Sequence, residues 1–371
     1  MSVHAPQFSK TANGLIILLA VGYLLYIGSF VLVPLVWGIF LSFAIYPLTN
    51  GLEKRGIPRA FSIITILFLV TSIFVAILSL LFSQVISLLA DIPQIGMKLQ
   101  QKAEEFTITA NQTFGGQFSV VSIGQWDLWK NMDLNKKVLE AGKSLIMVGV
   151  IPLFIFLLLY YKDFFKTFLK KVTVQNQEKV ISWVEDSAAV IQQYLVGMAK
   201  VTLIVFFLSG LYFYLIGIEY FLLFAVFIAV MNLIPYLGVI LSSSLILLYV
   251  LLTTDSLFYP VLTLFVLWGI QLTENNLITP VVVGAKVKVN ALAVIISIFI
   301  GGALWGVSGM VLFIPLAGIA KITLDRIPNY EAYGFLLGDA IPVSGTKWEL
   351  WTKLSHYKSK MRTKPEPKSK K

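Results

Sequence analysis

The 371-residue chain contains no cysteine. Disulfides, thiolate nucleophiles and Cys-ligated metals are therefore excluded from its chemistry. Its two histidines, His4 and His356, stand in the terminal stretches, so no histidine metal site or acid–base pair lies in the apolar body of the sequence. Charge is scarce as well. Only 13% of residues are Asp, Glu, Lys or Arg, about half the fraction of an ordinary soluble chain. No Walker-type loop and no nucleophile–base constellation is visible, so neither an enzyme nor a cofactor or metal is expected.

What fills the chain instead is apolar sequence: 57% of residues are hydrophobic and the mean hydropathy is +0.84. These residues come in blocks that lack any formal charge, at 11–52, 60–90, 144–161, 201–218, 220–254, 256–273 and 289–320. About 20 apolar residues cross a bilayer as a helix. The blocks are continuous rather than alternating, so helices and not barrel strands are expected. The reading is an all-α polytopic membrane protein with about eight membrane segments. The first block is expected to hold an uncleaved span that turns near Val33-Pro34 and returns by Thr49.

The distribution of Lys and Arg orients the chain. Lys54, Arg55 and Arg59, then Lys162, Lys166, Lys170 and Lys171, then Lys321 and Arg326 fall between or after apolar blocks. Placing all three groups on the cytoplasmic side puts both termini there, in a bacterial cytoplasmic (inner) membrane. The expected organisation is a short N-terminal tail (1–13), N-terminal membrane helices (14–90) and an extracytoplasmic helical segment (91–143) broken at Gly115-Gly116. A membrane helix (144–161), a cytoplasmic amphipathic linker (162–198), a transport core (199–326) and a basic cytoplasmic tail (327–371) follow. The tail ends in KPEPKSKK, too rich in Pro and Lys to fold. The net charge of +10 is concentrated there, which suits anionic lipid headgroups. Nucleic acid is not an expected partner, since no folded basic module accompanies the run.

The transport core contains two interrupted segments. Block 220–254 carries NLIPYLG at 232–238, and block 289–320 carries GGALWGVSG at 301–309. Each follows an uninterrupted span. Pro lacks an N–H and Gly tolerates left-handed backbone, so both residues end helices. Backbone freed at membrane depth is tolerated only where it is buried or lines a cavity. The pattern predicts two opposed re-entrant helical hairpins in an inverted repeat, an arrangement that recurs in secondary transporters. The candidate substrate and gating residues are Asn232, Pro235, Tyr236 and Gly238 at the first break, and Gly301, Gly302, Gly306 and Gly309 at the second. Gln271, Glu274, Asn275 and Asn276 lie between them in sequence. Glu274 is an acid at an apolar boundary between the two breaks, beside Gln271, Asn275 and Asn276, which makes it the ion-coupling candidate.

Three stretches together resemble the autoinducer-2 exporter (AI-2E) family: QQYLVGMAKV leading to NLIPYLG, TENNLITPVVVG at 273–284, and IGGALWGVSGMVLFIPLAGIAKI at 300–322. The likeness covers about residues 10–326. Val239 stands where the family often has Pro, and Asn290-Ala291 stand in a region where it often has Pro. The resemblance implies a transporter with re-entrant hairpins that forms a homo-oligomer. It leaves three functions open: an exporter or permease of a small polar solute such as an autoinducer-2-like molecule, a sodium (cation)/proton antiporter, or a non-transporting scaffold or channel-like assembly.

Overall fold

The computed structural model describes residues 7–114, 149–173, 176–234, 237–282 and 289–339. The expected glycine break at 115–116 and the basic tail beyond 339 lie outside them. Among the described residues no strand forms, and a lone bridge joins Val289 to Gly338. The helices are α1 (Gln7–Ile27), α2 (Ser29–Lys54), α3 (Arg59–Phe114), α4 (Gly149–Tyr160), α5 (Lys162–Val172) and α6 (Gln177–Leu215). They continue as α7 (Phe221–Met231), α8 (Leu237–Thr253), α9 (Phe258–Thr273), a π-helical turn (Glu274–Ile278), α10 (Thr279–Val282), α11 (Ala291–Arg326) and α12 (Glu331–Leu337).

Five helical stretches among the described residues are long and apolar enough to cross a bilayer: Ser29–Lys54, Arg59–Leu88, Gln177–Leu215, Phe258–Val282 and Ala291–Arg326. The other apolar helices are shorter, α7 having 11 residues and α8 17. At 1.5 Å per residue these reach about 17 and 26 Å, short of the roughly 30 Å hydrocarbon core.

The first block does not turn at Pro34. Pro34 and Pro47 both lie inside α2, and the break falls at Gly28. It is one residue wide. Gly28 N–H still donates to Leu24 O at 2.8 Å, and Leu32 N–H to Gly28 O at 2.8 Å, so the axis bends without the return pass the sequence suggested. An added Cβ at Gly28 would sit 2.9 Å from Leu24 O, which explains why the bend takes glycine. The amphipathic run at 179–197 and the apolar block after it are likewise one object, the unbroken 39-residue α6.

The basic loops cluster. Arg59 donates to Asp163 at 2.5 Å and to Tyr160 O at 3.1 Å, and Lys162 donates to Glu53 at 2.7 Å. This pins the α2–α3 turn, where Gly56 has φ +87°, to the α4–α5 junction. The hydrogen bond from Arg59 holds the Asp163 carboxyl below its ordinary range. Beyond α5, Asp186 on α6 pairs with Arg326 on α11, and the Trp183 indole donates to Thr323 at 2.9 Å. The three groups of cations used to orient the chain thus belong to connected ends of the helices.

Both interrupted segments fold as helical hairpins. In α7–α8 the Phe224 and Tyr249 rings lie 4.6 Å apart, and an ideal Cβ on Gly238 would lie 1.7 Å from Met231 O. In α11 the helix breaks at Trp305 (φ −130°, ψ 16°) and Gly306 (φ 59°, ψ −142°). The two arms, 291–304 and 307–326, then meet backbone to backbone. A Cβ on Gly309 would lie 1.9 Å from Gly301 O, and one on Gly301 2.3 Å from Gly309 O. This is the close approach that small residues permit between membrane helices.

Each hairpin is held at its open end. α3 runs past the base of α7–α8: Gln84 Oε1 accepts from Leu223 N–H at 2.7 Å, the Tyr220 hydroxyl donates to Asp91, and Lys102 Nζ donates to Leu251 O and Thr254 O, both at 2.7 Å. These bonds satisfy groups that helix ends leave orphaned. At α11 the N-cap Asn290 accepts from Ala293 N–H at 2.8 Å, while its amide donates to Leu336 O at 2.7 Å and Gly338 O at 3.0 Å across α12. Asn290→Ala removes the cap and the strap together, and is expected to cost about 2 kcal/mol. Thermal unfolding of the detergent-solubilised protein checks this; an unchanged midpoint would mean that the strap contributes nothing.

Candidate functional site

α6 organises the site. Its C-terminal half packs Val201, Val205 and Phe213 against Phe224, Ile228, Ile246 and Leu267, which joins it to α7, α8 and α9. Its N-terminal half packs Ile191 and Tyr194 against Leu312, Ile298 and Ile314 of α11 and Phe40 of α2. The two hairpins therefore approach α6 from its opposite ends. Among the described residues neither arm of α7–α8 touches α11.

Three fixed contacts set the registers. The hydroxyls of Tyr212 on α6 and Thr263 on α9 are 2.7 Å apart. A Cβ on Gly210 of α6 would meet the Ala225 methyl of α7 at 3.3 Å. Trp183 of α6 reaches Thr323 of α11. Equal steps along antiparallel helices then bring Glu274 level with Val201, Asn232 level with Leu203 and Gly306 level with Lys200. The spread is about 5 Å along the α6 axis. Asn232, Glu274 and Gly306 thus share one height, near the middle of α6, although neither α7 nor α8 meets α11 among the described residues.

At that height the polar groups differ in what they do. Glu274 is only 7% exposed and opens the π-helical turn. Its carboxylate accepts from Gln271 Nε2 at 2.5 Å and from Thr279 Oγ1 at 2.6 Å; both donors are neutral. The Thr279 N–H reaches Glu274 O, five residues back, and Pro280 next to it has no N–H to give, which favours a widened turn here. Asn275 is exposed and accepts from Gln271 at 3.2 Å, whereas Asn276 is exposed and spends its amide on Leu272 O at 2.8 Å. Asn232 caps α7 and is 7% exposed, with no hydrogen bond from its side-chain amide to any described residue. Gly238 is buried at the α8 start, and Pro235 and Tyr236 lie outside the described residues. Gly301 and Gly309 form the hairpin contact, Gly302 faces Met310, and exposed Gly306 supplies the left-handed turn. Ser242 bonds its own helix at Gly238 O, 2.8 Å away.

The structure adds two residues that sequence reading passed over. Lys200 is exposed at the same height as Glu274, and no ion pair engages it among the described residues. It was legible only as an edge, because counting charge-free blocks starts the span at Val201. The Trp305 indole N–H donates to Leu25 O at 3.0 Å, a carbonyl beside the Gly28 bend. That contact ties the second tip to the first helices across 280 residues, a separation local pattern cannot see.

A helical, strongly apolar chain with five stretches long enough to span a bilayer, one of them (Ala291–Arg326) folded back on itself as a hairpin, has the architecture of a multi-pass membrane protein. The chain belongs to the AI-2E family of transporters, whose family model matches residues 15–329. It is 23% identical over 318 residues to YrrI of Bacillus subtilis (strain 168), provisionally named a transport protein, covering 79% of this chain and 86% of that one. To the AI-2 transport protein TqsA of Escherichia coli (strain K12) it is 23% identical over 344 residues, covering 89% and 97%. To YhhT of the same organism, also provisionally named for transport, it is 22% identical over 357 residues, covering 92% and 99%.

Proposed function

We propose that this protein is an exporter or permease for a small polar solute, with an autoinducer-2-like molecule as the first candidate, and that the solute is bound at the level of Glu274, Asn232 and the α11 tip. One observation carries the reading: two interrupted helices, entering from opposite ends of α6, bring their breaks to the height of a buried carboxylate. The height also suits a bilayer. From Trp183 to Gly217 α6 and its C-terminal turn rise about 50 Å, close to a bilayer with its headgroups when tilted. Glu274 then lies near the midplane, where transporters with inverted repeats hold their substrates. In this reading α7–α8 and α11 are re-entrant, both termini face the cytoplasm, the basic tail rests on anionic lipid and the working unit is a homo-oligomer in the bacterial inner membrane.

Purified protein in liposomes, loaded with autoinducer-2 or with one of a panel of small polyols, is expected to release at least one of them saturably and at a rate proportional to protein. Sodium-driven proton movement in the same vesicles without solute flux would support the antiporter instead. Absence of both would favour the scaffold.

A further inference from the structure

Buried hydroxyls in membrane helices normally return to their own backbone, and most here do so. Ser42, Ser209, Ser242 and Thr263 each donate to the carbonyl four residues earlier, at 2.6–2.8 Å. Three hydroxyls among the described residues depart from the rule: Ser187, Tyr194 and Thr202 are buried at the oxygen and have no partner in the protein. All three are on α6, and at 100° per residue they fall within an arc of about 80°. Steps of about 10 and 12 Å separate them along the axis. The row starts one residue past Asp186, which pairs with Arg326, and ends at the height of Glu274. Tyr194, in its middle, is 5% exposed and is walled by Ile298, Ile314 and Met310 of the two α11 arms.

A buried hydroxyl without a partner is costly, and a phenol cannot relieve itself by rotating onto its own helix as Ser can. Phenylalanine would fill the same space without that cost. We propose that Ser187, Tyr194 and Thr202 line the solute path between the Glu274 level and the Arg326 end of α6, closed in this structure by α11 and opened when the hairpin leaves α6. A hydroxyl-bearing solute, or its water, then supplies the hydrogen bonds that the packed state withholds. The inference rests on the transport reading, and it identifies which face of α6 the solute follows and which helix gates it.

The cysteine-free sequence gives a direct test. Ser187→Cys and Thr202→Cys, each alone in the full-length protein in liposomes, are treated with a charged methanethiosulfonate. Both are expected to react about tenfold faster than Ser209→Cys, on the same helix but bonded to its own backbone. Rates equal to that of Ser209→Cys overturn the path whether or not a solute has been found. Where the parent protein transports, Tyr194→Phe and Thr202→Val are expected to slow flux about tenfold with no fall in Tm, as loss of a hydrogen bond made only during transport requires. Ser209→Ala keeps the parent rate. Unchanged flux in both hydroxyl variants, or a fall in Tm that accounts for the loss, also overturns it. A parent without flux alongside fast Ser187→Cys and Thr202→Cys labelling refutes the transport reading and leaves a water-filled path.

Discussion

Gly309→Ala is expected to lower stability by about 3 kcal/mol or more and to abolish flux, because the hairpin of α11 cannot close around a methyl group. The added Cβ would lie 1.9 Å from Gly301 O and 3.0 Å from its Cα, and backbone offers no side-chain rotation to relieve the clash. Parting the arms would also separate Trp305 from Phe313, whose rings are 5.3 Å apart, and would strain the indole bond to Leu25 O. Gly22→Ala in α1, with nothing within 4 Å of its added Cβ, is the comparison, and it should be neutral or slightly stabilising. Thermal unfolding in detergent measures both. A Gly309→Ala protein that melts with the parent would mean that the arms do not meet as described. Gly306→Ala is a different case: open space surrounds the added Cβ, but φ 59° with ψ −142° is a conformation held almost only by glycine and costs a side chain about 1–3 kcal/mol.

Glu274→Gln is expected to leave the fold standing and to cut flux about a hundredfold, the scale of losing one charge-assisted group at a binding centre. The carboxylate accepts at both oxygens, from Gln271 and from Thr279. An amide offers one acceptor, so its NH2 must face a donor at one of the two positions. Thr279 can turn its hydroxyl around and accept, but the Gln271 amide must flip, which in turn disturbs its bond to Asn275. The packing is unchanged in volume, so the stability cost stays near 1 kcal/mol. Thr273→Ala, one residue earlier, removes an exposed hydroxyl bonded to Gly269 O and should transport at the parent rate. Initial flux rates in liposomes decide the matter; parent-like flux in Glu274→Gln would take this carboxylate out of the solute site and leave the hairpin tips to act alone.

Several parts of this molecule were legible in the sequence because they obey local rules. Blocks without charge became helices, and each of the two interrupted blocks became a pair of antiparallel arms, α7 with α8 and 291–304 with 307–326. Glu274 was legible as an acid at the end of an apolar block, next to a run of amides. Pro34 misled, because a proline early in a long helix removes one hydrogen bond without reversing the chain, while Gly28 looked like any glycine in an apolar run. The α3 bonds to the base of α7–α8 were beyond reach for a different reason. Gln84, Asp91 and Lys102 look like an ordinary solvated helix face, and only the folded chain brings them to the orphaned ends of helices more than a hundred residues away. The common height of Asn232, Glu274 and Gly306 is likewise a sum of three registers, none of which is written in any one segment.

The way the hairpins are fastened has a mechanical consequence. α7–α8 behaves as a beam clamped at one end, by Gln84, Asp91 and Lys102, whereas α11 is held at its root by Asn290 through α12 and again at its tip by the Trp305 bond to Leu25 O. A clamped beam deflects least at its root and most at its free end, so thermal energy spread evenly along α7 and α8 becomes displacement concentrated at Asn232, while the second fastening damps the motion of Gly306. The two hairpins run from opposite ends of α6 toward one height. Stiffening the root of α7–α8 therefore narrows the sweep of its tip without touching any residue of the proposed solute site.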